Sequence, residues 1–428
     1  MASTYLSRTP SVAGNRQKFT ISFWLKRSRL DYEQYIFCTS PSNAQTQIIL
    51  PAANTITFDH YTTGYDTQIR TTQTFTDLTG WYHFVYSIDT TQAVASDRVK
   101  IYVNGLQITN LSTSTYPTQN YQYSINNTVV HNIGRWIAGP DNYFDGLLSH
   151  FHLCDGFAYT PSAFGSFDTS SGIWKPNTTP TVSYGTNGFF LKFENKASLG
   201  FDSSGNNNHW TVNGTPTQTV DNPSNNFCTW NKLWISPTAT ATPNTSYSNG
   251  NLTVQTATNT DSEIEGTLGV KNGKWYYEFK MTNVGTSSGL AVGFANYNYT
   301  DSLVYYSDNG KYYRKSSNTT YGATWTANDI IGVALDCANN TMTFYKNGVS
   351  QGVITSAFSN LATDYYLPIL WDGSGSLYAN GTVNFGNGVF GTTVITSPYT
   401  DTSGKGLFQY SVPTGHYALS TKSINAQG

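Results

Sequence analysis

Apolar and polar residues alternate with a period of two along much of the chain, and no apolar stripe of 3.6-residue period reaches helical length. Phe19, Ile21, Phe23 and Leu25 alternate with Thr20, Ser22 and Trp24, and Tyr82, Phe84, Tyr86 and Ile88 repeat the pattern. Each such run predicts a strand with one buried face and one wetter face. Val99, Ile101 and Val103 lead through Asn104-Gly105 into Leu106-Gln107-Ile108. Asn-Gly between apolar runs predicts a hairpin, because a type I′ turn needs positive φ at both central residues. The second half uses the same grammar: Trp275, Tyr277, Phe279 and Met281 alternate with Tyr276, Glu278 and Lys280. Further on, Ile331, Val333 and Leu335 precede Met342 and Phe344, and Asn347-Gly348 closes another hairpin. Nine Asn-Gly steps are enough to punctuate two sandwiches of short strands.

The expectation is therefore an all-β chain of two tandem antiparallel β-sandwiches. Its 428 residues exceed what one hydrophobic core usually serves. Strand signals fade from about residue 216 to 249, a stretch rich in Thr, Asn, Ser and Pro, so the boundary is expected there. Phe227, Trp230 and Trp234 within it predict an ordered connector packed on the domains.

Composition narrows the function. Charged residues are 11% of the chain and aromatic residues 15%, the reverse of a disordered sequence. The net charge of -2, with no Lys/Arg block, removes the electrostatic footprint of a nucleic-acid binder. Cys38, Cys154, Cys228 and Cys337 are widely spaced and form no CxxC. Buried free thiols are expected, with a Cys38 to Cys154 pair as the alternative. Neither a secretion signal nor an 18-residue apolar run is found, so no membrane insertion is expected. A chain of extracellular character without a signal fits a virion component made in a host cytoplasm and released by lysis.

Phe19-Thr20-Ile21-Ser22-Phe23-Trp24-Leu25-Lys26, Gly80-Trp81-Tyr82-His83, Lys100 to Gly105 and Tyr143-Phe144-Asp145-Gly146 resemble, in order, the laminin-G-like (concanavalin-type) jelly roll. That family commonly continues with an acidic pair, where this chain has Leu147-Leu148-Ser149-His150, so calcium is not supported. Asp202 to Trp210 looks like the Asp-Ser-Ser-Gly-Asn turn of such domains, a tight turn with side-chain caps. Gly273 to Glu278, Val292-Gly293-Phe294-Ala295, Asp329 to Asp336, Thr343 to Gly348 and Val383-Asn384-Phe385-Gly386 resemble a SPRY domain. The resemblance implies a jelly roll over 1–212, a connector over 213–250 and a SPRY-like sandwich over 251–428. The combination is similar to appendage proteins of tailed phages. It implies a non-catalytic fibre or decoration protein on the particle surface, a trimer for preference, that contacts other virion proteins and adheres to a host-surface glycan or protein. A purely structural virion cement is the first alternative and a glycan depolymerase the second.

Three groups of residues carry candidate chemistry. Tyr305, Tyr306, Tyr312, Trp325, Trp371 and Asp372, with Tyr313 nearby, are expected in loops between SPRY strands, where rings stack on sugar faces and polar groups bond hydroxyls. Trp371-Asp372-Gly373-Ser374 is the chosen binding loop. His150 and His152, alternating with Cys154, put two imidazoles on one strand face, and three such pairs around a trimer axis would supply six nitrogens to a metal; otherwise they are satisfied histidines. Asp261, Glu263 and Glu265 share period two, as a glycan depolymerase would require, but read as solvated edge charge. No cofactor is expected.

Overall fold

The computed structural model describes residues 4–40, 44–139, 142–169, 171–234, 245–256, 262–283, 289–314, 317–372 and 380–427. Asp261, Gly373 and Ser374 lie outside them. The chain divides into two compact units, 1–218 and 219–428. Residues 219–234 of the expected connector thus belong to the second unit, where Phe227 and Trp230 are fully buried.

Two antiparallel sheets build the first unit. The eight-stranded sheet runs in the order Leu111–Thr115, Tyr65–Thr71, Thr57–Tyr61, Gln45–Leu50, Gln34–Thr39, His131–Ile133, Tyr5–Arg8, Thr211–Asn213. The six-stranded sheet runs Phe189–Leu191, Gly146–Asp155, Lys18–Arg27, Tyr82–Asp89, Val99–Val103, Leu106–Gln107. Their inner faces meet over Phe19, Ile21, Phe23, Leu25, Phe37, Phe58, Phe84, Tyr86 and Phe151. Each fully buried large apolar side chain of this kind contributes about 1.5–3 kcal/mol. Asn104 and Gly105 adopt φ 47° and 86°, the type I′ signature, and close Val103 onto Leu106. Asp202 caps its turn as the sequence suggests, accepting from the backbone N–H groups of Phe190, Ser204 and Asn208.

The expected wetter face of the Lys18–Arg27 strand is not wet. Thr20, Ser22 and Trp24 are all buried, because residues 156–188 return over the outer face of the six-stranded sheet. Phe164 of that return packs on Val85 and Cys154, and Thr20 Oγ1 donates to the Phe157 carbonyl while accepting from the Tyr159 N–H. All four cysteines are free and buried. Cys38 lies on the outer side of one sheet with Tyr35 and Ile49, and Cys154 on the outer side of the other, so the inter-sheet core separates them and the alternative disulfide does not form.

The second unit repeats the two-sheet plan. One sheet runs Ser246–Ser248, Thr253–Gln255, Asn380–Asn384, Lys274–Asn283, Ile330–Asp336, Thr341–Lys346, Val349–Thr355, with Tyr417–Ala418 paired in parallel beside Lys274–Asn283. The other runs Ser262–Glu265, Tyr366–Asp372, Leu290–Asn296, Ser302–Tyr306, Lys311–Arg314, Ser317–Thr320. Trp275, Tyr277, Phe279, Phe294, Val333, Phe344 and Leu370 fill the space between them. Asn347 and Gly348, at φ 49° and 82°, form the second predicted type I′ turn. The outer residues Tyr276 and Glu278 are again buried, under Phe227, Phe408 and Ala418. Glu278 holds that covering segment by accepting from the Gln409 and Tyr410 N–H groups, each at 2.8 Å. No helix among the described residues is long and apolar enough to cross a membrane.

Candidate functional site

Strand parity divides the predicted aromatic residues into two sets. Tyr305 pairs with Tyr312, and both point inward. Tyr305 is fully buried, its ring 5.1 Å from Phe344, and its hydroxyl donates to the Ala323 carbonyl. Tyr312 packs against the same core, with Tyr321 5.6 Å away. Trp325 is buried between Phe279 at 6.3 Å and Tyr305 at 6.2 Å. These three are core residues: Tyr305 and Tyr312 lie on strands, which corrects the expectation that they line loops, and Trp325 lies between strands as expected but with its ring buried. Asp372 is also buried, accepting from Thr256 Oγ1, so it is a structural carboxylate and no free sugar acceptor.

The residues one position along point the other way. Tyr306 and Trp371 both lie opposite Ala291 on the central Leu290–Asn296 strand, so the small residue between them leaves their rings 6.0 Å apart. Tyr313 of the next strand brings its ring to 4.3 Å from Tyr306. Trp371, Tyr306 and Tyr313 form an aromatic strip across the outer face of the six-stranded sheet, over a floor of Ala291, Ala295, Val304 and Ile369. Trp371 therefore occupies a strand and not the predicted loop. Tyr299 joins the same face, stacked on Trp234 at 5.3 Å. Its backbone takes the left-handed φ of 58°, held where its N–H donates to the Asn296 carbonyl. Nothing in the sequence singled out Tyr299, but alternation through Tyr305-Tyr306 and Tyr312-Tyr313 does distinguish inner from outer rings once the strand register is known.

Charges bracket the strip. Glu263 lies directly across from Trp371, and Glu265 across from Ile369, on the edge strand Ser262–Glu265. Only part of the solvated-edge expectation holds: the strand is an edge, but Glu265 is 2% exposed, and its Oε1 has no partner among the described residues. Burial, with Glu263 adding to it, pushes the Glu265 carboxyl up to about 8. At the other end of the strip Lys311 donates to Asn318 Oδ1 at 3.2 Å.

The histidine pair behaves differently from a metal site. His150 sits in a bulge between Ser149 and His152, at φ 47°, with its Nδ1 2.7 Å from Ser149 Oγ. His152 is fully enclosed and stacks on Phe190 at 3.9 Å. His152 faces into the fold beneath Phe164 and Tyr184, and His150, also buried, lies beside Phe190. Among the described residues no group of three or more His, Cys, Asp or Glu is arranged to hold a metal ion.

Comparison with known proteins agrees with this architecture. Residues 2–162 match the concanavalin A-like lectin/glucanases superfamily, and residues 274–386 match the SPRY domain. A Ran-binding proteins 9/10 homolog of Drosophila melanogaster is 31% identical over 104 residues, which is 22% of this chain and 10% of that protein. The chain thus spans about a tenth of that relative's length. Among solved structures, the SPRY domain of human HERC1 aligns at 17% identity over 32% of this chain and 91% of its own, with a TM-score of 0.28. A heptameric SAP-like pentraxin of Limulus polyphemus aligns at 16% identity over 37% of this chain and 71% of its own, also with a TM-score of 0.28. The chain carries a concanavalin A-like domain followed by a SPRY domain.

Proposed function

We propose that this protein is a non-catalytic appendage of a phage particle, a tail or head fibre or decoration protein, that adheres to glycans on a host surface. The observation that carries this reading is the strip of Trp371, Tyr306 and Tyr313 across one sheet face of the second unit. Aromatic faces stack on the C–H faces of sugar rings, and the neighbouring Glu263 carboxylate supplies a hydroxyl acceptor. A single strip of this size binds weakly. Presentation in a trimer and in many copies per particle converts weak sites into firm adhesion. The two domain types and the low charge accord with a binding module. No nucleic acid, membrane insertion or cofactor enters the mechanism.

Binding of the purified full-length protein to host cells and to a glycan array tests the proposal, with Trp371→Ala as comparison. Saturable binding weakened at least tenfold by the substitution is expected. Absence of binding in every multivalent form would overturn it. The purely structural cement reading draws on one feature, the exposed Leu106, Phe167 and Ile173 near the half-buried Trp174 of the first unit, which offer an apolar contact to a neighbouring virion protein.

A further inference from the structure

Residues 156–188 form a cap on the outer face of the first unit's six-stranded sheet, and two of its fastenings are made to imidazole nitrogens. The indole Nε1–H of Trp174, in the hairpin of Gly165–Phe167 and Trp174–Pro176, donates to His83 Nδ1 at 2.9 Å. An indole N–H can only donate, so His83 Nδ1 carries no proton, and His83 Nε2–H donates to Ser22 Oγ at 2.9 Å. His83 is held as the neutral Nε2–H tautomer, with the Trp24 ring stacked on it at 4.6 Å and Trp174 bonded at its Nδ1 edge, the two centroids 6.0 Å apart. The second fastening joins His152 Nδ1 to the Tyr184 hydroxyl at 3.0 Å. Tyr184 also stacks on His152 at 6.1 Å, and Phe164 lies 5.0 Å from the same ring.

We propose that the cap is an acid-released cover: protonation of His83 and His152 undocks residues 156–188 and opens the outer sheet face while the sandwich beneath stays folded. A proton on His83 Nδ1 would set two donors, imidazolium and indole, against each other across 2.9 Å, so the Trp174 bond cannot survive. The charged and titratable groups around these rings oppose the charge. His150 of the Gly146–Asp155 strand faces both rings, His83 faces His152, and Lys192 faces His152. Lys26 shares the outer face on the Lys18–Arg27 strand. Lys100 is engaged by Asp97 at 3.0 Å, and in the cap Lys175 is engaged by Asp168 at 2.6 Å. No carboxylate among the described residues is placed to balance an imidazolium at either position. Uncapping relieves this by giving the rings to water. The face uncovered carries Trp24, Val85, Cys154 and Phe190.

Hydrogen–deuterium exchange of the full-length protein at pH 7.5 and pH 5.0, corrected for intrinsic rates, tests the device. Burial sets the His83 imidazole at about 3 in the closed state. Against about 6.5 in water, the opening constant of the cap should rise about 30-fold on acidification through His83 alone. Peptides within 157–184 are expected to lose protection at pH 5.0 while those of Phe19–Leu25 keep theirs. His83→Gln retains one acceptor and one donor but does not titrate, so its cap should lose that 30-fold increment. The proposal is overturned if cap and strand peptides respond alike in the wild-type protein, or if His83→Gln opens with acid as the wild type does. Should His83→Gln not fold, the wild-type comparison alone decides.

Discussion

Acidification should move the two units in opposite directions. In the first unit burial holds five histidines neutral: His60, His131 and His150 are pushed down to about 4, His83 to about 3, and His152 well below its ordinary value. The unfolded chain takes up protons on these rings near pH 6.5 and the folded unit does not. Their contribution is therefore fully present above that pH and is lost as the pH falls toward the folded values. At pH 5 these rings are 1.5 pH units below the unfolded midpoint, a loss of about 2 kcal/mol for each ring that stays enclosed, and His83 and His152 leave that sum once the cap has released them. Asp59 opposes this. Burial raises its carboxyl to about 6, so the folded unit gains a proton that the unfolded chain lacks and recovers about 1.5 kcal/mol. For His60, His131 and His150, less the Asp59 gain, the net loss is about 4.5 kcal/mol, a part of an ordinary domain's stability, so the sandwich stays folded in buffer at pH 5 while its denaturant midpoint falls. In the second unit the signs reverse. Burial raises Glu278 to about 7 against the four groups that donate to it, so stability increases by about 2 kcal/mol as pH falls from 7.5 to 5. Glu265 acts in the same direction and His416, whose imidazole is lowered by burial, in the other. Guanidinium unfolding of the full chain at pH 7.5, 6 and 5, read by pulsed exchange on peptides of Lys18–Arg27 and Lys274–Asn283, separates the two. The expected result is a midpoint that falls steeply for the first peptide and holds or rises for the second. Midpoints that shift together, or a first unit indifferent to pH, would refute the reasoning.

Two further outcomes follow from packing. A Cβ at Gly381 would stand 1.9 Å from the Phe279 ring, whereas one at Gly64 would meet nothing within 4 Å. Gly381→Ala should cost the second unit about 3 kcal/mol or more, and Gly64→Ala less than about 0.5 kcal/mol, both measured from urea midpoints. Burial pushes the Cys38 and Cys337 thiols up to about 12, and all four cysteines are free and buried. Native protein should therefore leave a chromogenic disulfide reagent unreacted for hours at pH 8 and yield four thiols once unfolded in guanidinium. Rapid reaction of the native protein would place a cysteine at the surface.

The local grammar of the chain was legible because it depends on neighbours in sequence. Asn104-Gly105 and Asn347-Gly348 adopt the positive φ values that two-residue hairpins demand, and the alternation around Phe23 and Phe279 marks the inner faces correctly. What alternation cannot convey is what covers the other face. Thr20, Ser22 and Trp24 read as wetter positions, and Tyr276 and Glu278 share their face with Lys280. In both units segments distant in sequence return across these positions, and long-range closure of that kind leaves no periodic trace. The candidate site failed for the same reason and by a single residue. Tyr305 and Tyr306 are equivalent by composition, but a strand sends adjacent side chains to opposite faces, so one is core and the other is strip. Loops were assumed where the rings clustered, yet Trp371, Tyr306 and Tyr313 sit on strands, and rigid sheet positions hold rings in register better than loop tips do. Glu265 shows the converse. Its edge placement was foreseen, but its burial comes from its packing in the fold, which turned an expected solvent charge into a buried carboxyl whose Oε1 has no partner among the described residues, beside the aromatic strip. The proposed site thus lies on an outer face, and outer faces are what neighbouring residues in sequence specify least.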